Sequence, residues 1–196
     1  MGYDRRNDSA TVLERVRYIT GEEYKKLLQR SKRNPRAYLL FLVLGNAGLR
    51  VGEAHRLVPK DIADDRPVIR VQTERQGDNV IHDLVIARKA ARKIREVIRL
   101  IGIRVNEKLF PWTIRNSQKL WYKYSTQAGL RILGTDGGKG RGIHCLRHML
   151  GIRMAEANLP PVFILKQLRQ KSFLYLDRYL QTIETRRMME NIGAIC

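Results

Sequence analysis

Arg36-Ala37-Tyr38-Leu39-Leu40-Phe41-Leu42-Val43-Leu44-Gly45-Asn46-Ala47 follows Asn34-Pro35 and runs into Gly48-Leu49-Arg50-Val51-Gly52-Glu53. From residue 38 to residue 44 apolar side chains fill every angular position of a helix, so the stretch predicts a central helix buried on all sides. It is too short to span a bilayer. Gly48 ends it, and a helix is expected to restart over residues 51–57.

Outward from this helix, helical and turn signals alternate. Thr20 and Glu23 have capping-box spacing, and Tyr24, Leu27 and Leu28 give an amphipathic helix to about residue 32. Residues 59–66 read as loop. Two β-branched runs, 68–73 and 80–86, flank Gln76-Gly77-Asp78-Asn79 and predict an antiparallel hairpin. Helical period returns over residues 87–101 and again over 113–133. Residues 134–142 hold five glycines and predict a mobile connection. Helix resumes over 144–157, after Pro160-Pro161, and over 174–182 and 184–192. The fold class predicted is mainly α with a small antiparallel β-sheet, an α+β domain over residues 18–182. Residues 1–17 are polar and predict a flexible N-terminal arm, and residues 183–196 a C-terminal helix or tail.

The 196 residues are 43% hydrophobic and 29% charged, the balance of a globular chain rather than a disordered or fibrous one. Their net charge of +19 points to a polyanionic partner, nucleic acid first and an acidic membrane surface second. Residues 109–155 carry Arg115, Lys119, Lys123, Arg131, Lys139, Arg141, Arg147 and Arg153 against the single acid Asp136, which predicts a continuous positive face. The N-terminus has neither an apolar core nor a small-residue cleavage site, which argues for a cytoplasmic protein. Cys145 and Cys196 are too few for a disulfide framework or a structural zinc site.

Three segments could carry chemistry. Arg50 leaves the most hydrophobic element of the chain, and Glu53 is spaced to hold it, although an arginine capping a helix end would look the same. In His144-Cys145-Leu146-Arg147-His148, residues 144 and 147 share a helix face and could address one anion. His144 and His148 could instead ligate a metal, with only His55, His82 and Cys196 left to complete the site, or could satisfy a helix N-terminus. Tyr175 and Tyr179 lie one helical turn apart, and either is a usable nucleophile or a core residue.

Taken in order, Arg50, His144, Arg147 and Tyr179 on a basic helical chain with a hairpin between the arginines resemble the tyrosine recombinase family of phage integrases. The resemblance spans about residues 20–179 and implies the catalytic-domain fold of that family. It implies a site-specific DNA recombinase or integrase of a mobile genetic element, which cleaves and rejoins strands through a 3′-phosphotyrosine with no metal and no cofactor. Arg50 and Arg147 would meet the phosphate charge, His144 would manage the proton, Tyr179 would attack, Glu53 would orient Arg50, and His148 would stand behind the site. The implied partners are double-stranded DNA, contacted also by Lys89, Arg115, Lys119, Lys123, Lys139 and Arg141, and further protomers in a homo-tetramer on DNA, reached through residues 183–196 unless that segment folds back on its own domain.

The chain departs from the family pattern twice. The hairpin holds no lysine to protonate the leaving oxygen, and its nearest cation, Arg75, is a poor proton donor. Gln170 stands where the family usually has His or Trp, and an amide can bond a phosphate oxygen without acting as an acid. These departures raise the alternative of a family-like DNA-binding module that has lost or weakened strand cleavage. Charge alone would also fit an unrelated RNA-binding protein.

Overall fold

The structure, a computed structural model, describes residues 18–75, 78–130 and 141–170, and beyond them 173, 176, 177, 179–181, 183 and 184; for 74, 75, 78 and 79 it describes the backbone alone. The expected N-terminal arm, the glycine-rich connection before residue 141 and the tail from residue 185 lie outside the described residues. One compact unit is Tyr18–Leu150, and a second holds the described residues from Gly151 onward.

The first unit is built around the predicted buried helix. Thr20 and Glu23 form the expected capping box, and α1 runs Gly21–Ser31. Asn34 caps α2, Pro35–Ala47, by accepting the Ala37 N–H, and Pro35 occupies a first-turn position where its missing N–H costs nothing. Residues 37–45 of α2 are all buried. Tyr24 and Leu27 of α1 cover one side of it, and Phe41 meets Trp121 and Tyr124 edge-on at ring separations of 6.2 and 6.1 Å. α1 approaches α2 over Gly45, where an added Cβ would sit 2.6 Å from the Tyr24 ring. The Tyr24 hydroxyl donates to the Phe41 carbonyl at 3.0 Å and accepts from Asn46 Nδ2 at 3.0 Å, so the phenol's polar tip is satisfied inside the contact.

After α2 come α3, Val51–Ala54, a 3-10 turn at Pro59–Asp61, and an antiparallel pair, β1 Val68–Arg75 and β2 Asp78–Val85. The hairpin follows the helices as expected, and its strands are longer than predicted, pairing out to Arg75↔Asp78. α4, Arg88–Leu100, lays Ala91, Ile94, Val97 and Ile98 on the core, and α5 runs Ile114–Gln127. Two helices are shorter than the periodicity suggested. α3 stops at Ala54 because Pro59 disfavours helix at Val58 and because the Leu57 carbonyl accepts the Leu109 N–H at 3.0 Å, pairing with a distant segment. α5 stops before Gly129, whose φ of +69° breaks the helix.

α6, Cys145–Glu156, and α7, Pro161–Leu168, complete the elements. In the second unit Leu176, Tyr179 and Ile183 are helical and buried, spaced as one helix face. The Tyr179 ring lies against Gly151, where an added Cβ would stand 2.7 Å from Cε2. Among the described residues no helix is long and apolar enough to cross a membrane.

The close approach at Gly45 gives a stability test. Gly45→Val must displace the hydrogen-bonded Tyr24 ring and should cost about 1–3 kcal/mol by overpacking, read as a lower urea midpoint at unchanged slope. Wild-type stability in this variant would refute the packing described here.

Candidate active site

The site starts from a backbone requirement. Gly48 takes the left-handed conformation, φ 65° and ψ 35°, and its N–H closes α2 on the Leu44 carbonyl at 3.0 Å. The chain turns there, Arg50 is extended, and α3 begins at Val51. Glu53, buried three residues on, reaches back with one carboxylate oxygen to the Arg50 N–H at 2.7 Å and with the other to Arg50 Nη1 at 3.1 Å. A buried carboxylate is tolerable only with such partners. Arg50 itself stays half exposed, with a 51% accessible side chain free to meet a ligand.

Arg147 arrives from the second turn-defining segment. It lies in the first turn of α6, is buried, and donates from Nη1 to the Gly48 carbonyl at 2.6 Å. The glycine that releases Arg50 from α2 therefore also fixes Arg147. His144 precedes α6, and its carbonyl accepts the N–H groups of Arg147 and His148. Part of the His144 ring is exposed, yet lost hydration lowers its pKa, and the positive charges of Arg147 and Arg50 lower it further against a smaller opposing pull from Glu53. At neutral pH this imidazole is a base. His148 is half-buried on the same helix.

The structure thus brings Arg50, Glu53, His144 and Arg147 together within one unit. Arg75 ends β1, and its side chain is not among those described. Gln170 and Tyr179 belong to the second unit. Gln170 follows α7, donates its N–H to the Leu165 carbonyl, and buries an Oε1 that has no hydrogen-bond partner. Tyr179 is 2% exposed.

Of the basic residues, Lys89 is exposed on the first turn of α4, and Arg115, Lys119 and Lys123 form an exposed row on α5 at four-residue spacing. Lys123 Nζ stands 5.5 Å from the Tyr124 ring centre. Lys139 lies outside the described residues. Arg141 is mostly buried in an ion pair with Glu23. Among the described residues no group of three His, Cys, Asp or Glu side chains could hold a metal. Burial raises the Cys145 thiol far above its usual range, which leaves it unreactive.

Sequence reasoning missed a polar brace at the end of α3. Trp112 Nε1 donates to Ser117 Oγ at 2.8 Å, and Ser117 Oγ lies 2.8 Å from His55 Nε2. His55 is neutral, because burial lowers its pKa more than its bond to the Trp112 backbone raises it; with its single N–H spent on that backbone bond, Nε2 accepts the Ser117 proton. The brace ties the end of α3 to α5. Nothing in the spacing of residues 55, 112 and 117 marks it.

The chain belongs to the phage integrase family, whose match covers residues 17–185. No curated protein matches it in sequence. In fold it is similar to XerA recombinase, with a TM-score of 0.70 and 19% identity over 88% of this chain and 63% of that one. It is similar also to XerH recombinase in a post-cleavage complex with a palindromic difH substrate, with a TM-score of 0.70 and 18% identity over 91% and 53% of the two chains. A lambda integrase tetramer bound to a Holliday junction matches with a TM-score of 0.62 and 19% identity over 83% and 47%. The chain therefore spans less than two thirds of the length of each of these relatives.

Two depressed histidines fix a sign for the pH dependence of stability. His55 and His144 both titrate below 6.5 when folded, so the unfolded chain binds more protons as pH falls beneath that value. Stability should be full above about pH 7 and fall as pH drops from 6.5 through the folded values, with His144→Gln flattening part of the slope. Urea unfolding at intervals between these limits checks it, and a flat or opposite slope would refute it.

Proposed function

We propose that the chain is a site-specific DNA recombinase that cleaves and rejoins duplex DNA through a 3′-phosphotyrosine at Tyr179. The observation that carries this reading is the meeting of Arg50 and Arg147 at the Gly48 turn, with His144 in the field of both. A phosphodiester under attack gains charge on its non-bridging oxygens, and two planar guanidinium forks meet that charge without a metal. Glu53 holds one arginine and the Gly48 carbonyl the other, so both are oriented before the phosphate arrives.

In the cleavage step the phenol oxygen of Tyr179 forms a bond to phosphorus while the bond from phosphorus to the 5′ oxygen breaks. Neutral His144 takes the phenolic proton. Arg75 offers the departing oxygen charge but no proton, because a guanidinium pKa exceeds about 12; water supplies the proton and departure is slow. Rejoining runs in reverse, with a 5′-hydroxyl displacing Tyr179. The Gln170 amide, whose oxygen and nitrogen can exchange places, adds donors for a phosphate oxygen. Tyr179 has to leave its place against Gly151 first, since a ring so buried reaches no phosphate.

Residues 18–182 would form the catalytic domain, with Lys89, Arg115, Lys119 and Lys123 on the DNA backbone. The proposal is completed by a cytoplasmic, DNA-associated tetramer with residues 183–196 as the protomer contact; the lambda relative's structure is a tetramer bound to a Holliday junction.

Covalent capture tests the reading. Nicked duplexes drawn from the DNA flanking the gene should yield a denaturation-resistant protein-DNA adduct that Tyr179→Phe abolishes and Tyr175→Phe preserves. Tight duplex binding without an adduct would establish a DNA-binding module instead. Slow departure has its own signature: replacing the 5′ bridging oxygen by sulfur, which leaves without a proton, should speed cleavage at least tenfold, about 1.4 kcal/mol off the barrier. Equal rates for the two substrates would place the slow step elsewhere.

A further inference from the structure

Arg141 stands three residues before His144, with Gly142 and the buried Ile143 between them. Its backbone carbonyl accepts the indole N–H of the fully buried Trp121 at 2.9 Å, which pins this point of the chain to α5. Its guanidinium reaches Glu23 on α1. Nη2 meets Glu23 Oε1 at 2.9 Å, and Nη1 donates to Glu23 Oε2 and to the Tyr18 carbonyl, each at 3.1 Å. Glu23 Oε2 also accepts the Thr20 N–H at 2.7 Å, so the carboxylate that caps α1 is the one that holds Arg141.

Both side chains are less than a quarter exposed, 22% and 24%. Two parallel bonds between a fork and a carboxylate, with a third to a carbonyl, fix the plane of the guanidinium as well as its place. The Cys145 thiol, one residue past His144, feels the charges of both partners. An arginine engaged on this scale is built into the domain, whereas Arg115 and Lys119 on α5 stand exposed.

We propose that the Arg141–Glu23 pair positions His144 at the start of α6, so that Arg141 acts through His144 rather than as a DNA contact. This rests on the recombinase reading for its effect on rate. The physical content is that a rigid anchor three residues upstream sets where the imidazole sits relative to Arg50, Arg147 and Glu53, the charged groups that act on it. Loss of the fork lets the segment shift, and a displacement on the order of 1 Å at a proton-transferring group can cost roughly a hundredfold in rate.

Arg141→Lys keeps the charge and loses the fork; Glu23→Gln keeps the cap of α1 and loses the ion pair. In the full chain without DNA, the ring resonances of His144 followed by NMR against pH should titrate closer to the ordinary histidine value, about 6.5, in both variants. The His55 titration, set by its own brace, should stay where it is. With duplex, adduct formation should slow at least tenfold while DNA affinity changes by less than about twofold. A His144 titration that does not move, or one that moves together with His55, overturns the proposal. So does a loss of affinity that equals or exceeds the loss of rate, which would make Arg141 a DNA contact. If the wild-type chain forms no adduct, the recombinase reading fails, and the two titrations still decide whether the pair positions His144.

Discussion

The placing of Arg50 and of Arg147 depends on one residue's backbone. Gly48 can hold a φ of 65° without the steric cost that a side chain would bring, and two consequences follow from that single conformation. The buried helix α2 ends at once, which releases Arg50 toward solvent from the most apolar element of the chain. The Gly48 carbonyl is then left to accept Arg147 across a sequence separation of 99 residues. A side chain at this point would bring that cost, and a shift of the turn to relieve it would move both Arg50 and the carbonyl that holds Arg147.

The turn is held because α2 is held. Residues 37–45 of α2 are all buried, and the aromatic contacts of Phe41 with Trp121 and Tyr124 leave the helix little room to rotate. A helix fixed in rotation has a fixed end, so the direction in which Arg50 departs is a property of the core. The brace of Trp112, Ser117 and His55 extends that rigidity from α5 to the far end of α3. Core packing thus becomes preorganisation of charge, which is where electrostatic catalysis draws its strength.

Much of this was legible in the sequence, and the parts that were not share a cause. Apolar filling of α2, the Thr20–Glu23 cap and the β-branched runs of the hairpin are local signals, and the structure follows them. The ends of α3 and α5 fall earlier than periodicity predicts, because periodicity reports a face and not a stop; the Leu57 carbonyl paired with Leu109, and the left-handed Gly129, decide them. Arg50 and Glu53 could be paired by spacing alone. The tie between Arg147 and Gly48 could not, since a backbone carbonyl carries no sequence signature, and the same holds for the indole bond to the Arg141 carbonyl.

The two acids that organise the unit do so by the same device. Glu23 sits three residues after Thr20, and Glu53 three residues after Arg50; in each case Oε2 accepts the N–H of the earlier residue at 2.7 Å and Oε1 holds an arginine. A helix N-terminus offers unpaired N–H groups that favour a carboxylate, so its position costs little and its orientation is set by the backbone. The second oxygen is then aimed by the first. In a chain of net charge +19, where arginines repel one another and would each prefer solvent, carboxylates anchored in this way can hold Arg50 and Arg141 in place without neutralising the exposed positive face. Helix capping, a local event within four residues, is what lets this chain hold Arg50 and Arg141 in fixed places.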